Sequence, residues 1–324
     1  MTESYRWTKL GKVFDPTEST CPGASWIQGF AQAPCVVPHD DFLRVYFSCR
    51  PAPDSDGQYT SYSTYLDLDP SDLQTVLRVS DRPVLPLGEM GMFDQFGIYP
   101  ISVIRDSDVF RAYYAGWTRC ESVPFNTAIG VAESHDGGQT FTKLGPGPVI
   151  PYTPDEPFVI SGPKIRRFND RWYLFYIAGR KWINDNGRAE PIYKIRMATS
   201  DDGLHWQKHG EDLLDSRIES DEAQASPDVI YSGGKYHMFF CYRRSRNYRG
   251  KSGGYRIGYA CSDDLFHWTR DDNRAGITVS DSGWDSEMVS YPHVFIHDGR
   301  TYLFYLGNHV GKHGFGVAVL EGQL

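Results

Sequence analysis

The sequence predicts an all-β protein, a single-domain five-bladed β-propeller over residues 1–324 with four-stranded blades and an N-terminal strand that closes the last blade. Three observations predict this fold. A proline that opens a short apolar run recurs at a regular interval, an aromatic strand follows each proline, and the chain begins with a copy of a fourth strand. The prolines are Pro34, Pro100, Pro163, Pro227 and Pro292, which are 66, 63, 64 and 65 residues apart.

The second and third strands recur in every unit after the proline. The aromatic second strands contain Val45–Phe47, Ala112–Tyr114, Leu174–Tyr176, Met238–Phe240 and Leu303–Tyr305. The third strands, with small residues and alternation, contain Ala128–Ala132, Ile195–Ala198, Ile257–Ala260 and Gly314–Ala318, and Tyr62–Tyr65 is the weakest copy. Short alternating runs at regular spacing are typical of strands in a repeated sheet.

Three turns between the third and fourth strands share one chemistry. They are Ser134–Gly138, Ser200–Gly203 and Ser262–Asp264, and each is followed by an aromatic residue, Phe141, Trp206 or Trp268. Aspartate accepts backbone hydrogen bonds and glycine tolerates a positive φ, so these residues suit a tight reversal of the chain.

The N-terminus indicates how the propeller closes. Trp7–Gly11 copies Phe141–Gly145, so the chain begins with a fourth strand, and it ends after a third strand at Gly316–Val319. The first strand is therefore predicted to complete the last blade, which removes the exposed edge that a linear array of sheets would leave.

The amino-acid composition argues against several classes of binding partner. The chain carries 33 Lys+Arg against 41 Asp+Glu, a net charge of −8, which argues against nucleic acid or an anionic membrane as partner. No signal-peptide core or run of about 18 apolar residues is present, so we expect a cytoplasmic protein. The six cysteines form no CxxC pair, and no metal-ligand spacing or glycine-rich phosphate loop is seen, so no metal or cofactor is predicted.

The blade repeat resembles a known group of propellers. With turns such as Ser200–Trp206, it is similar to the arabinanase/levansucrase/invertase-like superfamily, of the type of glycoside hydrolase families 43, 32 and 130. This resemblance covers essentially the whole chain and implies an enzyme acting on glycosides, a hydrolase or a phosphorylase. The turn Ser134–Phe141 also resembles the Asp-box of sialidases, which usually have six blades.

The chain differs from that family in the residues that precede the repeated proline. The family's catalytic carboxylates stand beside the proline that opens each first strand. Here the residues directly before the prolines are Ala33, Tyr99, Gly162, Ser226 and Tyr291, none of them acidic. Acids stand slightly upstream instead, and we predict Glu222 and Glu287 as a pair of catalytic acid and base or nucleophile, with Asp94 as an orienting or stabilising acid. Alternatively, these acids bind loop backbone or pair with arginines.

Basic residues at the ends of the second strands predict a site for an anion. They are Arg50, Arg119, Arg180, Arg243 and, in the fifth unit, His309. The planar guanidinium can bind two oxygens of a carboxylate or phosphate, although each arginine could equally pair with a nearby acid. Tyr99 and Tyr291 could stack on a sugar. His293, on an inner strand, could contact a sugar hydroxyl or serve a structural role.

The leading functional hypothesis is a glycoside hydrolase or phosphorylase that acts on an acidic or phosphorylated saccharide in the axial pocket. Two alternatives remain open at this point, because fold does not determine function. One is a carbohydrate-binding propeller without catalysis, and the other is a glycosyl-transferring enzyme of polysaccharide or glycolipid assembly.

Overall fold

In the computed structural model, which describes residues 3–249 and 253–324, twenty strands form five four-stranded antiparallel sheets. The first blade contains β2 (Gly29–Pro38), β3 (Leu43–Arg50), β4 (Tyr62–Asp69) and β5 (Asp72–Val79). The second contains β6 (Ile98–Asp106), β7 (Val109–Arg119), β8 (Phe125–Ser134) and β9 (Thr142–Lys143). The third contains β10 (Ser161–Phe168), β11 (Arg171–Asp185), β12 (Arg188–Ser200) and β13 (Gln207–Lys208).

The last two blades follow the same order. The fourth contains β14 (Ala223–Ser232), β15 (Lys235–Arg243), β16 (Arg256–Ser262) and β17 (Thr269–Arg270). The fifth contains β18 (Ser290–His297), β19 (Arg300–Leu306), β20 (Phe315–Leu320) and β1 (Trp7–Phe14). Helix is confined to the four-residue α1 (Asn308–Gly311) and two short 3-10 turns, Ala24–Trp26 and Asp272–Arg274, within the described ranges. The predicted five-bladed propeller is confirmed.

The first strands of the five blades surround the axis as a closed ring. Strand β2 contacts β6, and contacts then run from β6 to β10, β14 and β18 and back to β2. Strand β1 pairs antiparallel with β20, from Trp7 opposite Leu320 to Phe14 opposite Phe315, so the N-terminal strand closes the last blade as predicted. No helix in the described part of the chain is long and apolar enough to cross a membrane.

The hydrophobic core lies between the blades. Each of five clusters of buried side chains joins two neighbouring blades. The cluster between the fifth and first blades packs Phe14 and Phe315 against Phe47, with the rings of Phe14 and Phe47 centred 5.4 Å apart. Second-strand aromatics therefore recur in the sequence because each fills a gap between sheets.

The Asp-Gly turns hold neighbouring blades together. The Asp136 carboxylate accepts hydrogen bonds from the backbone N–H groups of Gln139 and Thr140, which fixes the turn after β8. The Tyr46 hydroxyl of the first blade then donates to the Gly138 carbonyl at 2.8 Å. One blade further on, Tyr113 donates to Gly203 at 2.7 Å.

Candidate functional site

A cavity of about 370 Å³ lies at one end of the propeller axis, and residues from all five innermost strands line it. We call it the axial cavity. Each of these strands contributes a lining residue one or two positions before the repeated proline: Gln32, Tyr99, Ser161, Ser226 and Tyr291. A β-bulge interrupts the strand register at this point in every blade. Because a bulge re-aims a side chain, the proline positions of the repeat mark the cavity wall.

The axial cavity is rich in basic side chains. Arg50, Arg243, Arg249 and Lys312 line it, together with His309. Among its described lining residues the one carboxylate is Glu190. Four cations against one carboxylate give an excess of three positive charges (4 − 1 = 3) in a chain whose net charge is −8.

Arg50 presents its guanidinium to the axial cavity with little of its hydrogen-bonding capacity used. The half-buried side chain leaves β3 with its guanidinium 4.2 Å from the Phe30 ring centre, and Nε donates to the Ser61 hydroxyl at 3.2 Å. Burial lowers the pKa of Arg50, but an arginine stays charged in proteins. Within the described residues neither Nη1 nor Nη2 has a hydrogen-bond or ion-pair partner, so this fork can receive two oxygens of an anion.

Arg243 is embedded in the wall. It is 1% exposed, and its guanidinium lies 3.7 Å from the centre of the Tyr248 ring. It donates to the carbonyl oxygens of Pro191 and Arg244 at 2.9 Å each and to the Tyr255 hydroxyl at 3.2 Å. These contacts use most of its N–H groups, so Arg243 chiefly holds the wall in shape.

Glu190 is 5% exposed and stands near the start of β12. Its carboxylate accepts a hydrogen bond from the Tyr248 hydroxyl at 2.8 Å and pairs with Arg249 at 2.9 Å. The Arg188 guanidinium is 3.6 Å away. An acid that lines the axial cavity is thus held by an arginine that also lines it.

Tyrosines form a large part of the polar wall. The rings of Tyr99 and Tyr291 stack with centroids 6.3 Å apart, and burial raises the pKa of both phenols. They are therefore neutral hydrogen-bond donors near pH 7, with flat faces of the kind that contact sugar rings. His309 is exposed at the mouth of the cavity and comes from α1.

Asp94 lies outside the axial cavity lining, in a contact that recurs in several blades. Its fully buried carboxylate pairs with Lys143 of β9 at 2.5 Å and accepts from the Tyr114 hydroxyl of β7 at 3.1 Å. Equivalent sets of acid, fourth-strand lysine and second-strand tyrosine are Glu156 with Lys208 and Tyr176, and Asp285 with Lys9 and Tyr305. We call this contact the blade anchor, because it ties the segment before a first strand to the outer strands.

Glu222 provides the blade anchor of the fourth blade. Its fully buried carboxylate pairs with Arg270 of β17 at 2.6 Å, and Phe240 takes the place of the tyrosine. Burial alone would raise the pKa of Glu222, but hydrogen bonds from Arg270, Gln224 and the N–H of Arg217 lower it below its ordinary value. An ionised, enclosed carboxylate makes a poor proton donor. Glu222 is also not among the described residues that line the axial cavity, so its catalytic role stays a prediction.

Glu287 is not equivalent to Glu222, although both precede their prolines by five residues. The contact equivalent of Glu222 is Asp285, since Lys9 and Arg270 occupy the same place on their fourth strands. Glu287 is half-buried, and its neighbour Met288 lines the axial cavity. Its backbone is fixed by Asn308, whose side-chain oxygen accepts from the Glu287 N–H at 2.7 Å. Of the three predicted acids, Glu287 alone stands next to a lining residue.

The remaining predicted residues lie away from the axial cavity lining. Arg119 pairs with Asp54 at 3.0 Å, and Arg180 pairs with Asp212, so the alternative of arginine–acid pairing applies to both. His293 is buried on β18, where Nδ1 lies 2.7 Å from Asp228 and Nε2 accepts from the Val36 N–H at 2.9 Å. These bonds join three first strands, which is the structural role that the sequence left open.

The charged cavity residues that the sequence did not predict are Glu190, Arg249 and Lys312. Glu190 and Arg249 come from segments added to the repeat: the long hairpin of β11 and β12, and the chain after β15. The signals were a third-blade hairpin longer than the others, ending in Glu190–Pro191, and a cluster of four arginines between Arg243 and Arg249.

The fold and the axial cavity define the class: a five-bladed β-propeller of the type seen in glycoside hydrolases and mannoside phosphorylases. One solved structure of similar fold is a β-1,2-mannobiose phosphorylase from Listeria innocua in complex with β-1,2-mannobiose. It matches with a TM-score of 0.69 and 12% identity over 99% of this chain and 97% of that chain.

The sequence relatives give the family. The uncharacterized protein Rv1502 of Mycobacterium tuberculosis (strain H37Rv) is 33% identical over 323 residues, 97% of this chain and 99% of the relative, and the chain belongs to the same family. A 1,2-β-oligomannan phosphorylase from Thermoanaerobacter sp. (strain X514) is 23% identical over 75% of this chain and 76% of its own length. No protein-family model matches the chain.

Proposed function

We propose that the protein is a glycoside-active enzyme whose axial cavity takes an acidic or phosphorylated saccharide, with the anionic group bound by Arg50. The observation that carries this proposal is the Arg50 guanidinium, which faces the cavity with both Nη groups unpartnered among the described residues. A half-buried cation without a carboxylate partner is stabilised by an anionic ligand. The phenols of Tyr99 and Tyr291 are proposed to contact the sugar.

The charges in the axial cavity favour phosphorolysis over hydrolysis. Glycoside hydrolysis ordinarily uses two carboxyl groups, one as acid and one to activate water or attack the sugar. The described lining has one, Glu190. Phosphate is already an anionic nucleophile, so it needs a cationic site and a single proton donor. A phosphate oxygen would bond to the anomeric carbon as the glycosidic C–O bond breaks, and the departing oxygen would take a proton from the acid.

Two acids are candidates for that proton donor. Glu190 lines the axial cavity, and Glu287 stands beside the lining residue Met288. We propose Glu190 as the acid because its carboxylate belongs to the cavity wall. The phosphorylase names of two similar proteins are consistent with this reaction class.

The test is a turnover screen with and without inorganic phosphate. The protein is incubated with neutral and acidic oligosaccharides, and a sugar 1-phosphate product is sought by phosphorus NMR. We expect phosphate-dependent turnover that falls at least about 100-fold in Glu190→Gln, as for loss of a general acid. Glu219→Gln is the matched control, because Glu219 pairs with Arg244 outside the cavity lining.

Other outcomes would redirect the proposal. Turnover without phosphate would indicate hydrolysis. Loss of turnover in folded Glu287→Gln or Glu222→Gln, with Glu190→Gln fully active, would return catalysis to the acids predicted from sequence.

A carbohydrate-binding protein without catalysis is the second candidate, and one observation favours it. Glu190, the one carboxylate among the described lining residues, is already bound by Arg249 and Tyr248. Stoichiometric saccharide binding with no product under any phosphate or donor condition would select it, whereas exchange of label between two sugars would select the glycosyl-transferring alternative.

A further inference from the structure

The two side chains of the Glu190–Arg249 ion pair differ widely in their exposure to solvent. The Glu190 side chain is 6% exposed, while that of Arg249 is 49% exposed. The arginine Nη2 and Nε lie 2.9 and 3.2 Å from Oε1 of the acid, and Tyr248 donates to Oε2. The arginine is therefore the less enclosed partner of the pair, whereas the acid is enclosed in the wall.

Arg249 shares the axial cavity with Arg50. The pKa of Arg50 is lowered by burial and, to a smaller degree, by the positive charge of Arg249. Two guanidinium groups that repel one another across a cavity are both stabilised by an anion placed between them. An anionic ligand held by Arg50 thus competes with Glu190 for the Arg249 guanidinium.

We propose that an anionic ligand draws Arg249 away from Glu190, and that Glu190 then takes up a proton and becomes the acid of the reaction. This inference rests on the proposed function, because it needs the anion site at Arg50. A buried carboxylate that loses its counter-ion favours the neutral form, since burial penalises charge. Substrate binding itself would then produce the proton donor.

The groups around Glu190 allow this change. Its described charged and titratable neighbours are Arg188, Arg249 and Tyr248, with Arg243 stacked behind the Tyr248 ring. Arg188 is 66% exposed and 3.6 Å away, so solvent screens its charge and it replaces Arg249 poorly. The Tyr248 hydroxyl can accept a hydrogen bond as well as donate one, so it can also bind the protonated acid.

The proton balance is closed over one cycle. A solvent proton joins the Glu190 carboxylate when the anion binds. That proton passes to the glycosidic oxygen as the C–O bond breaks and an oxygen of hydrogen phosphate bonds to the anomeric carbon. The phosphate's own proton is released to solvent from the sugar phosphate, which replaces the proton that Glu190 took up. Glu190 is again a carboxylate, and Arg249 returns to it as the anionic product leaves.

Calorimetric titration with sulfate tests the inference without turnover. Sulfate is a dianion that does not titrate near neutral pH, so proton uptake reports on the protein alone. Titrations in two buffers of different ionisation enthalpy, at about pH 7, give the number of protons taken up. We expect about one proton per bound sulfate in the wild type, and loss of that uptake in Glu190→Gln with sulfate binding retained or tightened.

Two control variants test whether Glu190 is the group that takes up the proton. His309→Gln removes the histidine of the cavity lining and should keep the uptake, and Glu219→Gln removes a partly buried carboxylate outside the lining and should keep it as well. Sulfate binding without proton uptake in the wild type, or equal uptake in Glu190→Gln, overturns the inference alone. Absence of binding by both sulfate and sugar phosphates overturns the anion site, and the proposed function with it.

Discussion

Arg50 and Arg243 occupy matching places at the ends of second strands, yet their surroundings give them different roles. Most N–H groups of Arg243 donate to carbonyl oxygens and phenols, while both Nη groups of Arg50 are without a partner among the described residues. The sequence places both residues at the same height in the propeller. Only the neighbours contributed by other segments, such as Tyr248 beside Arg243, decide which arginine is available.

His293 makes the stability of the ring depend on pH. Burial lowers its pKa to about 4; Asp228 opposes the shift, whereas the nearby charge of Lys164 adds to it. The unfolded chain therefore binds more protons than the folded protein between about pH 6.5 and pH 4, and stability is lost as pH falls through this window. We predict a loss of about 3 kcal/mol across it, measured by urea unfolding.

The pH dependence of the wild-type stability is compared with that of the variant His293→Asn. This variant should show a flatter pH profile over the same window, with a residual slope because the pKa values of His39 and His237 are also lowered by burial. A wild-type profile that is flat from about pH 6.5 to pH 4 would refute the assignment.

At the scale of elements, the third-blade hairpin distinguishes this propeller from its own repeat. Strands β11 and β12 remain paired out to Asp185 opposite Arg188, well beyond the end of the fourth-blade pair. The tip is fastened to the chain after β15, where the Asn247 N–H donates to the Asp185 carboxylate at 2.8 Å. This extension carries Glu190, so an added element supplies the one carboxylate among the described residues that line the axial cavity.

The turn after β8 offers a matched pair of glycine variants. Gly137 and Gly138 both have positive φ, 75° and 78°, but a Cβ on Gly138 would lie 2.1 Å from the Tyr46 hydroxyl while one on Gly137 meets nothing within 4 Å. We predict that Gly137→Ala costs about 1 kcal/mol of unfolding free energy from backbone strain alone. Gly138→Ala should cost about 1–3 kcal/mol more, because it also displaces the blade contact. Equal losses in chemical denaturation would disprove the turn's role as a joint between blades.

At the scale of the whole molecule, the N-terminal strand closes the ring. Removing residues 1–14 would leave β20 with an unpaired edge and take Phe14 out of the core between the fifth and first blades. We predict that this truncated chain loses its cooperative thermal transition and aggregates, as judged by circular dichroism and size-exclusion chromatography. Deletion of residues 1–3 should leave both measurements unchanged. A soluble, cooperatively melting chain without residues 1–14 would show that closure is not required.

The fold was predictable from sequence because its determinants are local and repeated. The bulge prolines and the aromatic second strands recur in every blade, the Ser-Asp turns recur in three, and Trp7–Gly11 copies a fourth strand at the start of the chain. Agreement among such local signals is what specifies a single fold.

The site was predictable only in part. The repeat predicts that Tyr99, Tyr291 and Arg50 lie near the cavity, because a residue at a strand end or a bulge has a fixed position along the propeller axis. Spacing does not say which way a loop side chain points, so Asp94 and Glu222 turned out to face outer-strand cations in blade anchors. Glu190 comes from the hairpin of β11 and β12, whose strand pairing extends further than that of the other described hairpins, so the repeat itself does not predict it.

The anion site at Arg50 is tested by calorimetry, in which the affinity of the axial cavity for a hexose 1-phosphate is compared with its affinity for the uncharged hexose. We expect the wild type to bind the phosphorylated sugar more tightly and Arg50→Met to lose this difference. Arg119→Met should preserve it, because Arg119 pairs with Asp54 away from the cavity lining. Equal affinity for the two sugars in the wild type, or an unchanged preference in Arg50→Met, would show that Arg50 does not bind the anionic group.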